Sequence, residues 1–555
     1  MKTILKKSQS GSALCDNTYM INKAVLNAEN NCEIALEKDN YTISPKYAYE
    51  KFIYMTNNDF GLKNILFPII DKSDITIDGN GSSLNFLGRL LPFYISNSKN
   101  ITIKNFTIDY QRPMFSQAKL LEIGENDFTM EIDKEIFPYT VKDGILIFVG
   151  EDYESDFVHG ILAFDPETKR PLSDSIDCSI WNNLIATELS DGVLKINYKL
   201  HKCLKVGQTI TIKHERRYVP AIAINECENV VLENITIRHA GTMGVVAQFS
   251  KDITIKNMEI ATDKNSSRVM SVNADATHFV GCTGTILVEN SKFESMLDDI
   301  INVHGNYLKV TEVIDSKNVI AEIPHRQQVG AYGIKNNATI SFLNADTMLL
   351  EGKAVLKSTN MLNNKYYEMK LEEDFEFDKT KTYCVENTDA YPQVIFRNND
   401  CGRNRARALL LTSAKNILIE NNKIDCEGAA FKISADMTGW YESGATNNVV
   451  IKNNIIKRSN MLTWGKAIFD IDPEMEVFED NKYFHDTILV QNNKIELCAN
   501  PLVYGKSFKT LIFENNEFYT AETNILSEDD LVYDVEEFGE IKLLGNNFVN
   551  KKLDI

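Results

Sequence analysis

Short runs in which Ile, Val or Leu alternate with Thr, Lys or Glu recur along this chain, each followed by Asn and a second short alternating run. The copies are NITIKNFTI from Asn100, NVVLENITI from Asn229, DITIKNMEI from Asp252 and GTILVENSKF from Gly284. NILIENNKI from Asn416, NVVIKNNII from Asn448, DTILVQNNKI from Asp486 and KTLIFENNEF from Lys509 continue the series, and DITIDGNGSSLNF from Asp74 is a looser early copy. Alternation with period two is the signature of a strand with one buried face. The Asn after each strand suits a left-handed turn, where its side chain can stack on the Asn of the next copy. Repeats with a period of a few tens of residues read as a solenoid, because each unit buries its apolar face only against its neighbours. The expected fold is all-β, a right-handed parallel β-helix.

Spacing locates what interrupts it. Marker asparagines lie 23 residues apart at 234–257, 398–421 and 492–515, and 33 and 32 apart at 257–290 and 421–453. Between Asn105 and Asn234 the gap is 129 residues, and between Asn290 and Asn398 it is 108. Both long gaps lack the marker and hold hairpin-like strands such as KLLEIGENDFTMEI and KVTEVIDSKNVIAEI. The expected organisation is an N-terminal cap with the first coils (1–108), an inserted β-barrel-like subdomain (109–218) and central coils (219–305). A second inserted subdomain (306–391) and C-terminal coils (392–555) follow.

Composition narrows the partners. The formal net charge is −19, from 78 acidic and 59 basic residues. Nucleic acids and anionic membranes select basic surfaces, so neither is an expected partner, whereas a neutral glycan is compatible. The ten cysteines show no CxxC pair and no zinc-like spacing, and read as free thiols. No stretch approaches the roughly 18 apolar residues of a membrane helix. The first twenty residues lack an apolar signal core, so the chain as written reads as cytoplasmic, and as secreted if it has been trimmed. Oligomeric state stays open, with a homodimer kept in view because solenoid sides and barrel inserts often supply dimer contacts.

The chemistry gathers in SVNADATHF (271–279) and SMLDDIINVHG (295–305). Asp275 and Asp298 are 23 residues apart, one short coil, which places them on adjacent coils; Asp299 adds a third acid and His304 follows. Glycoside hydrolysis needs one protonated carboxyl for the leaving group and one ionised carboxylate to activate water or attack. Crowded acids supply both, since mutual repulsion raises one of them. Neighbours in a regular strand face opposite ways, so Asp298 and Asp299 share a site only if the chain bends there.

Other candidates are Arg403, Arg405 and Arg407, an alternating row able to bind hydroxyls or an anionic group, and the loop GWYESG, where Trp440 can stack on a pyranose and Tyr441 or Glu442 can bind hydroxyls. Trp464 is a weaker version of the same idea. His239 and His278 fall near strand ends and could line one groove with His304; no ligand spacing supports a metal there, so neither metal nor cofactor is expected.

The order Asn273-x-Asp275, Asp298-Asp299, His304-Gly305 is similar to that of the polygalacturonases of glycoside hydrolase family 28, which are inverting β-helix enzymes. The closer resemblance is to the exo-acting α-1,3-galactosidases of family 110, the blood-group-B-cleaving type, through NADATHF, LDDIINVHG and NRARALL from Asn404. It covers the chain from about Asp74 to Phe518. It implies removal of terminal α-1,3-linked galactose with inversion and without metal, Asp298 as general acid, and Asp275 with Asp299 holding the attacking water. The substrate-binding set would be Asn273, His278, His304, Arg405, Arg407, Trp440 and Glu442. Three other readings stay open: a polygalacturonase-like enzyme gripping uronic acids through the arginines, a calcium-dependent lyase, and a glycan-binding β-helix without catalysis.

Overall fold

The computed structural model describes residues 2–7, 17–173, 178–498, 501–520 and 527–553. It is a parallel β-helix with two insertions. One long sheet collects the alternating repeats: Lys99–Tyr110 pairs with Glu228–Ile237, which pairs with Lys251–Lys256, and the ladder continues through Thr283–Glu289, Gln393–Arg397, Asn416–Glu420, Asn448–Lys452, His485–Gln491 and Phe508–Glu514, all parallel. A second sheet runs alongside it through Leu91–Ser96, Ile222–Asn225, Val245–Gln248, Thr277–Val280, Ile301–Asn306, Leu409–Leu411, Phe431–Ala435 and Phe469–Pro473. One core fills the space between the sheets, with Ile101, Val230, Ile253, Ile286 and Val394 stacked from one side and Phe279, Val303, Leu409 and Phe431 from the other.

Asparagine holds the coils together in two ways. Asn105, Asn234, Asn257, Asn290, Asn398, Asn421, Asn453, Asn492 and Asn515 all turn the chain with φ between 52° and 62°, a region that Asn tolerates better than other non-glycine residues. In the early coils these residues also stack: Asn257 Nδ2 donates to Asn234 Oδ1 at 3.0 Å, and Asn234 Nδ2 to Asn105 Oδ1 at 3.1 Å. In the later coils the ladder moves one residue on and inside. Each of Asn399, Asn422, Asn454, Asn493 and Asn516 donates its backbone N–H and its amide to the next side-chain carbonyl, ending at Asn546. Their amides also reach a backbone carbonyl, for example Asn454 Nδ2 to Ile419 at 3.0 Å, so the buried polar turn is satisfied.

Register passes straight across both insertions, since strands on either side of each gap are direct neighbours in the long sheet. Strands between Ser116 and Ile212 pair antiparallel among themselves and build their own apolar core, which reaches the solenoid through Val269, Met270 and Leu297. Leu308–Val313, Asn318–Glu322, Tyr366–Leu371, Leu350–Met361, Thr339–Asn344 and Tyr383–Asn387 close into a six-stranded barrel around Val319, Ile340, Phe342, Leu356 and Met369. At the N-terminal end the helix Thr18–Leu26 lays Ile21 and Val25 over the first coil, covering an edge that would otherwise offer unpaired strands. Cysteines whose side chains are described are all free; Cys15 and the side chain of Cys178 lie outside the described set.

The buried ladder makes a specific prediction. Asn454→Ala leaves the Asn422 donors without their acceptor and removes the link to Asn493. An unsatisfied buried donor costs about 1–3 kcal/mol, so thermal unfolding is expected to begin several degrees lower, whereas Asn492→Ala, at a left-handed turn, is destabilising through backbone strain instead and Asn492→Gly is mild.

Candidate active site

Three carboxylates meet where the chain enters the second sheet. Thr277 pairs with Ile301 and Ile301 with Leu409. Two residues upstream, the same register stacks Asp275, Asp299 and Arg407 on consecutive coils. The Asp275–Asp299 step is 24 residues, so Asp299 rather than Asp298 sits in line with Asp275. This corrects the one-coil pairing of Asp275 with Asp298 expected from the 23-residue interval. Asp298 stands one residue aside, and all three share the site because residues 295–299 form an irregular bend, with Ser295 at φ 63°, before the strand begins at Ile301. One carboxylate oxygen from each of Asp275, Asp298 and Asp299 lies within 4.8 Å of the others.

Hydrogen bonds fix each group. Asp275 accepts the Asp299 N–H through Oδ1 at 3.2 Å and meets His278 Nδ1 through Oδ2 at 2.6 Å. Arg407 donates to Asp299 Oδ2 at 2.9 Å and lies 3.8 Å from Asp298. Arg217 donates to Asp298 Oδ2 at 3.2 Å and to the Asn57 carbonyl. Asp299 Oδ1 is buried without a protein partner. Behind this trio, His278 Nε2 and His304 Nε2 are 3.0 Å apart, His304 Nδ1 donates to the Gly305 carbonyl at 2.7 Å, and Glu442 lies 3.4 Å from His304. Asn57 Nδ2 donates to Glu442 at 2.8 Å.

These surroundings split the acids. Burial, reinforced by the Asp298 charge, pushes Asp275 well above the usual carboxylate range. Burial does the same to Asp299 despite Arg407. Burial acts on Asp298 too, but Arg407, Arg217, Arg405 and Lys213 together outweigh it and hold Asp298 below that range. Its side chain is also the most open of the three, 25% exposed against 4% for Asp275 and 1% for Asp299. Burial lowers both His278 and His304 to about 4, so both are neutral near pH 7.

The carboxylates open into a cavity of about 320 Å³ that runs along the outer face of the second sheet past Asn302, Leu410, Lys432 and Asp470. Two tryptophans stand over it. Trp440 carries Arg217 at 5.2 Å from its ring centroid and packs on His325, while Trp464 carries Arg405 at 5.4 Å. The Trp440 loop is pinned by Asp436, whose carboxylate accepts the N–H groups of Thr438, Gly439, Trp440 and Tyr441. Asp470 faces the cavity with Lys432 at 3.4 Å from one oxygen and its buried Oδ1 unpartnered.

Among the described residues, two clusters have metal-like composition, the three aspartates and His278–His304–Glu442. Neither donor set fits an ion well. Arg407 and Arg217 already stand as counter-ions to the aspartates, and the histidines point their Nε2 atoms at each other at hydrogen-bond distance.

A family model described as GLAA-B beta-barrel domain I matches residues 116–210. Over the full chain, the α-1,3-galactosidase B of Parabacteroides distasonis is 31% identical across 526 residues, 90% of this chain and 85% of that protein. The α-1,3-galactosidase A of Shewanella woodyi is 30% identical over 90% of this chain and 82% of its own, and the α-1,3-galactosidase B of Bacteroides thetaiotaomicron 29% over 87% and 80%. The chain belongs to the α-1,3-galactosidase family. Among solved structures, a Yersinia enterocolitica family 28 exopolygalacturonase superposes with TM-score 0.39 at 12% identity over 98% of this chain and 78% of that one, a likeness too slight to carry more.

Within this family member, some sequence candidates fall elsewhere. Asn273 turns from the cavity toward the Glu215 and Arg216 carbonyls. His304 is fully buried behind His278. His239 is far from the histidine pair: its Nε2 accepts the Met114 N–H and its Nδ1 donates to the Ser271 carbonyl, between Tyr110 and Phe115. The arginines do not form one row, because Arg403 sits at φ 53° and pairs with Glu294, leaving Arg405 beside Trp464 and only Arg407 on the acids. Asn57, Arg217, Lys432 and Asp470 escaped the sequence reading. Only Arg217 left a trace there, in the basic HERR where the first insertion rejoins the solenoid.

Arg407→Met separates charge from packing. Asp298 has a lowered folded value, so its pairing stabilises above its unfolded value of about 3.9 and is lost as pH falls. Without Arg407 all three carboxyls shift upward, Asp298 from its lowered value and Asp275 and Asp299 from raised ones, and the penalty exists only where they would be ionised. The melting temperature of the variant is expected to lie several degrees below the parent's at both pH 8 and pH 5, and to approach it only as pH falls below about 3.9, with activity lost throughout.

Proposed function

We propose that this protein hydrolyses terminal α-1,3-linked galactose from oligosaccharides or glycoconjugates, with inversion and without a metal. The observation that carries the reading is the trio of carboxylates fixed by Arg407, Arg217 and His278 at one end of a tryptophan-walled cavity, in a chain about 30% identical to α-1,3-galactosidases over most of its length. Asp298 is the most exposed of the three acids that line the cavity, so it is the general acid to the glycosidic oxygen. Because its arginines favour the ionised form in the ligand-free site, substrate binding must exclude water around Asp298 and raise its proton affinity, with solvent supplying the proton.

Asp275 and Asp299 hold the water. Asp275 has both oxygens engaged, by the Asp299 N–H and by His278, which disfavours it as a nucleophile. Asp299 keeps Oδ1 free and buried, a lone acceptor suited to an ordered water. Inverting enzymes usually separate their carboxyls by about 6.5–9.5 Å and retaining ones by about 5–5.5 Å. Oxygens within 4.8 Å lie nearer the retaining value, so support for inversion comes from the occupied oxygens and not from spacing.

Support for exo action comes from the segments that gather beside the acids. Next to the acids, the Asn57 carbonyl accepts from Arg217 and the Asn57 N–H donates to the Gln327 carbonyl, and Gln328 from the same insertion donates to the Trp440 carbonyl at 2.7 Å. Both insertions therefore bear on the site side of the solenoid, and a chain end rather than a mid-chain segment fits against that wall. Tryptophan faces suit the apolar face of a pyranose, and the Lys432–Asp470 pair suits its hydroxyls.

The test is galactose release from an α-1,3-linked galactobiose, with polygalacturonate and an α-1,4-linked galactobiose as controls. Release from the first alone, and a fall of at least a thousandfold in Asp298→Asn, is expected. Release of galacturonate instead would select the uronic-acid reading, and glycan binding without turnover would select a lectin-like β-helix.

A further inference from the structure

Asp275 cannot serve as a base while it holds a proton, and its surroundings show where that proton sits. Both histidines behind it are neutral near pH 7. His304 Nδ1 faces the Gly305 carbonyl at 2.7 Å and must carry hydrogen, so its Nε2 is an acceptor. His278 Nε2, 3.0 Å away, must then be the donor, which leaves His278 Nδ1 as an acceptor. Its partner at 2.6 Å is Asp275 Oδ2, so the proton between them belongs to the Asp275 carboxyl. The chain of donors ends beside Glu442, held 3.4 Å from His304 Nε2 and fixed by Asn57.

We propose that His278, His304 and Glu442 form a buried proton relay that switches Asp275 from acid to base. The Asp275 O–H bond breaks as an N–H bond forms at His278 Nδ1; the His278 Nε2–H bond breaks as one forms at His304 Nε2. Asp275 becomes a carboxylate, His278 stays neutral, and His304 becomes an imidazolium against the Glu442 carboxylate. Net charge is unchanged. The armed Asp275 takes a proton from the attacking water while Asp298 gives one to the leaving oxygen. A proton then leaves His304 for solvent by way of Glu442, which lines the cavity, and Asp298 takes one from solvent before the next turnover.

The charges facing the relay favour its two ends differently. Asp275 is met by Asp298, which opposes its ionisation, and by Arg217, Arg407 and the Asp299 N–H, which favour it. His278 is met by Glu442, Asp298 and Arg217, and His304 by Glu442 and His278. When substrate binding excludes water and Asp298 takes a proton from solvent, one of the charges holding Asp275 in its acid form is removed, so arming follows binding. His304 has no exposed surface and does not line the cavity, whereas His278 and Glu442 do. It is a positioning residue and the clean place to cut the relay.

The inference rests on the galactosidase reading with Asp275 as base. In His304→Gln, KM on α-1,3-galactobiose is expected to stay within about twofold. At pH 6 kcat should fall on the order of a hundredfold, with the ascending limb of the pH profile moved at least one unit toward alkali, so that activity partly recovers by pH 9. A structural role would lower kcat equally at every pH, and an unmoved limb would overturn the relay. If the parent protein releases no galactose, the substrate assignment fails, and imidazole nitrogen NMR of the ligand-free protein then decides the relay alone. Assigned through His278→Gln and His304→Gln among the eight histidines, the spectra at pH 7 should show His304 as the neutral Nδ1–H form and His278 as the neutral Nε2–H form. An Nε2–H His304 or an Nδ1–H His278 would refute it.

Discussion

Three carboxylates within 4.8 Å of one another, two of them almost wholly buried, are held in this fold by a column in register: Asp275, Asp299 and Arg407 on consecutive coils. A parallel solenoid is suited to this, because strand pairing fixes both the spacing and the side of each residue. Charges taken out of water are costly unless paired and hydrogen-bonded. Here Arg407 answers Asp299, Arg217 answers Asp298, and His278 with a backbone N–H answers Asp275. Remove the arginine and the column becomes two stacked acids with a third beside them. The core and the asparagine ladders exist upstream of the chemistry in the same sense: they set the register that the column uses.

The rest of the site is brought to that column by segments distant in sequence. Arg217 arrives where the first insertion rejoins the solenoid, Asn57 from a turn of the N-terminal coils, and Gln327 and Gln328 from the strand connections of the second insertion. Asn57 and Arg217 line the cavity beside the Asp436-pinned Trp440 loop, and Gln327 and Gln328 brace them from outside it. The cavity continues along Leu410, Lys432 and Asp470, where the regular outer face of the sheet supplies one side chain per coil. A rigid repeating floor thus carries irregular walls, which is where loops usually place function.

What the sequence made legible follows from this division. The solenoid could be read because each coil repeats the same two constraints, an alternating strand and an asparagine at positive φ. The acids could be read because they sit at coil spacing. Their pairing could not, since a coil of 24 residues rather than 23 exchanges Asp298 for Asp299 in the column, and one residue decides it. The bend at Ser295 that lets both acids share a site has no sequence mark either. Arg403 looked equivalent to Arg405 and Arg407, but a left-handed turn at that residue sends it to Glu294. The second asparagine of each NN pair, which carries the buried ladder, was overshadowed by the first, which makes the turn. Asn57, Lys432 and Asp470 belong to the site only through tertiary position, and nothing local announces them.

The account stands or falls on water, rather than a carboxylate, attacking the sugar between Asp275 and Asp299. Proton NMR of the first turnovers on α-1,3-linked galactobiose reads this directly from the anomeric signal of the released galactose, before mutarotation mixes the forms. β-Galactose appearing first is the predicted result. α-Galactose appearing first would mean a covalent intermediate on one of these aspartates, and would contradict the assignment of Asp275 and Asp299 as the holders of water.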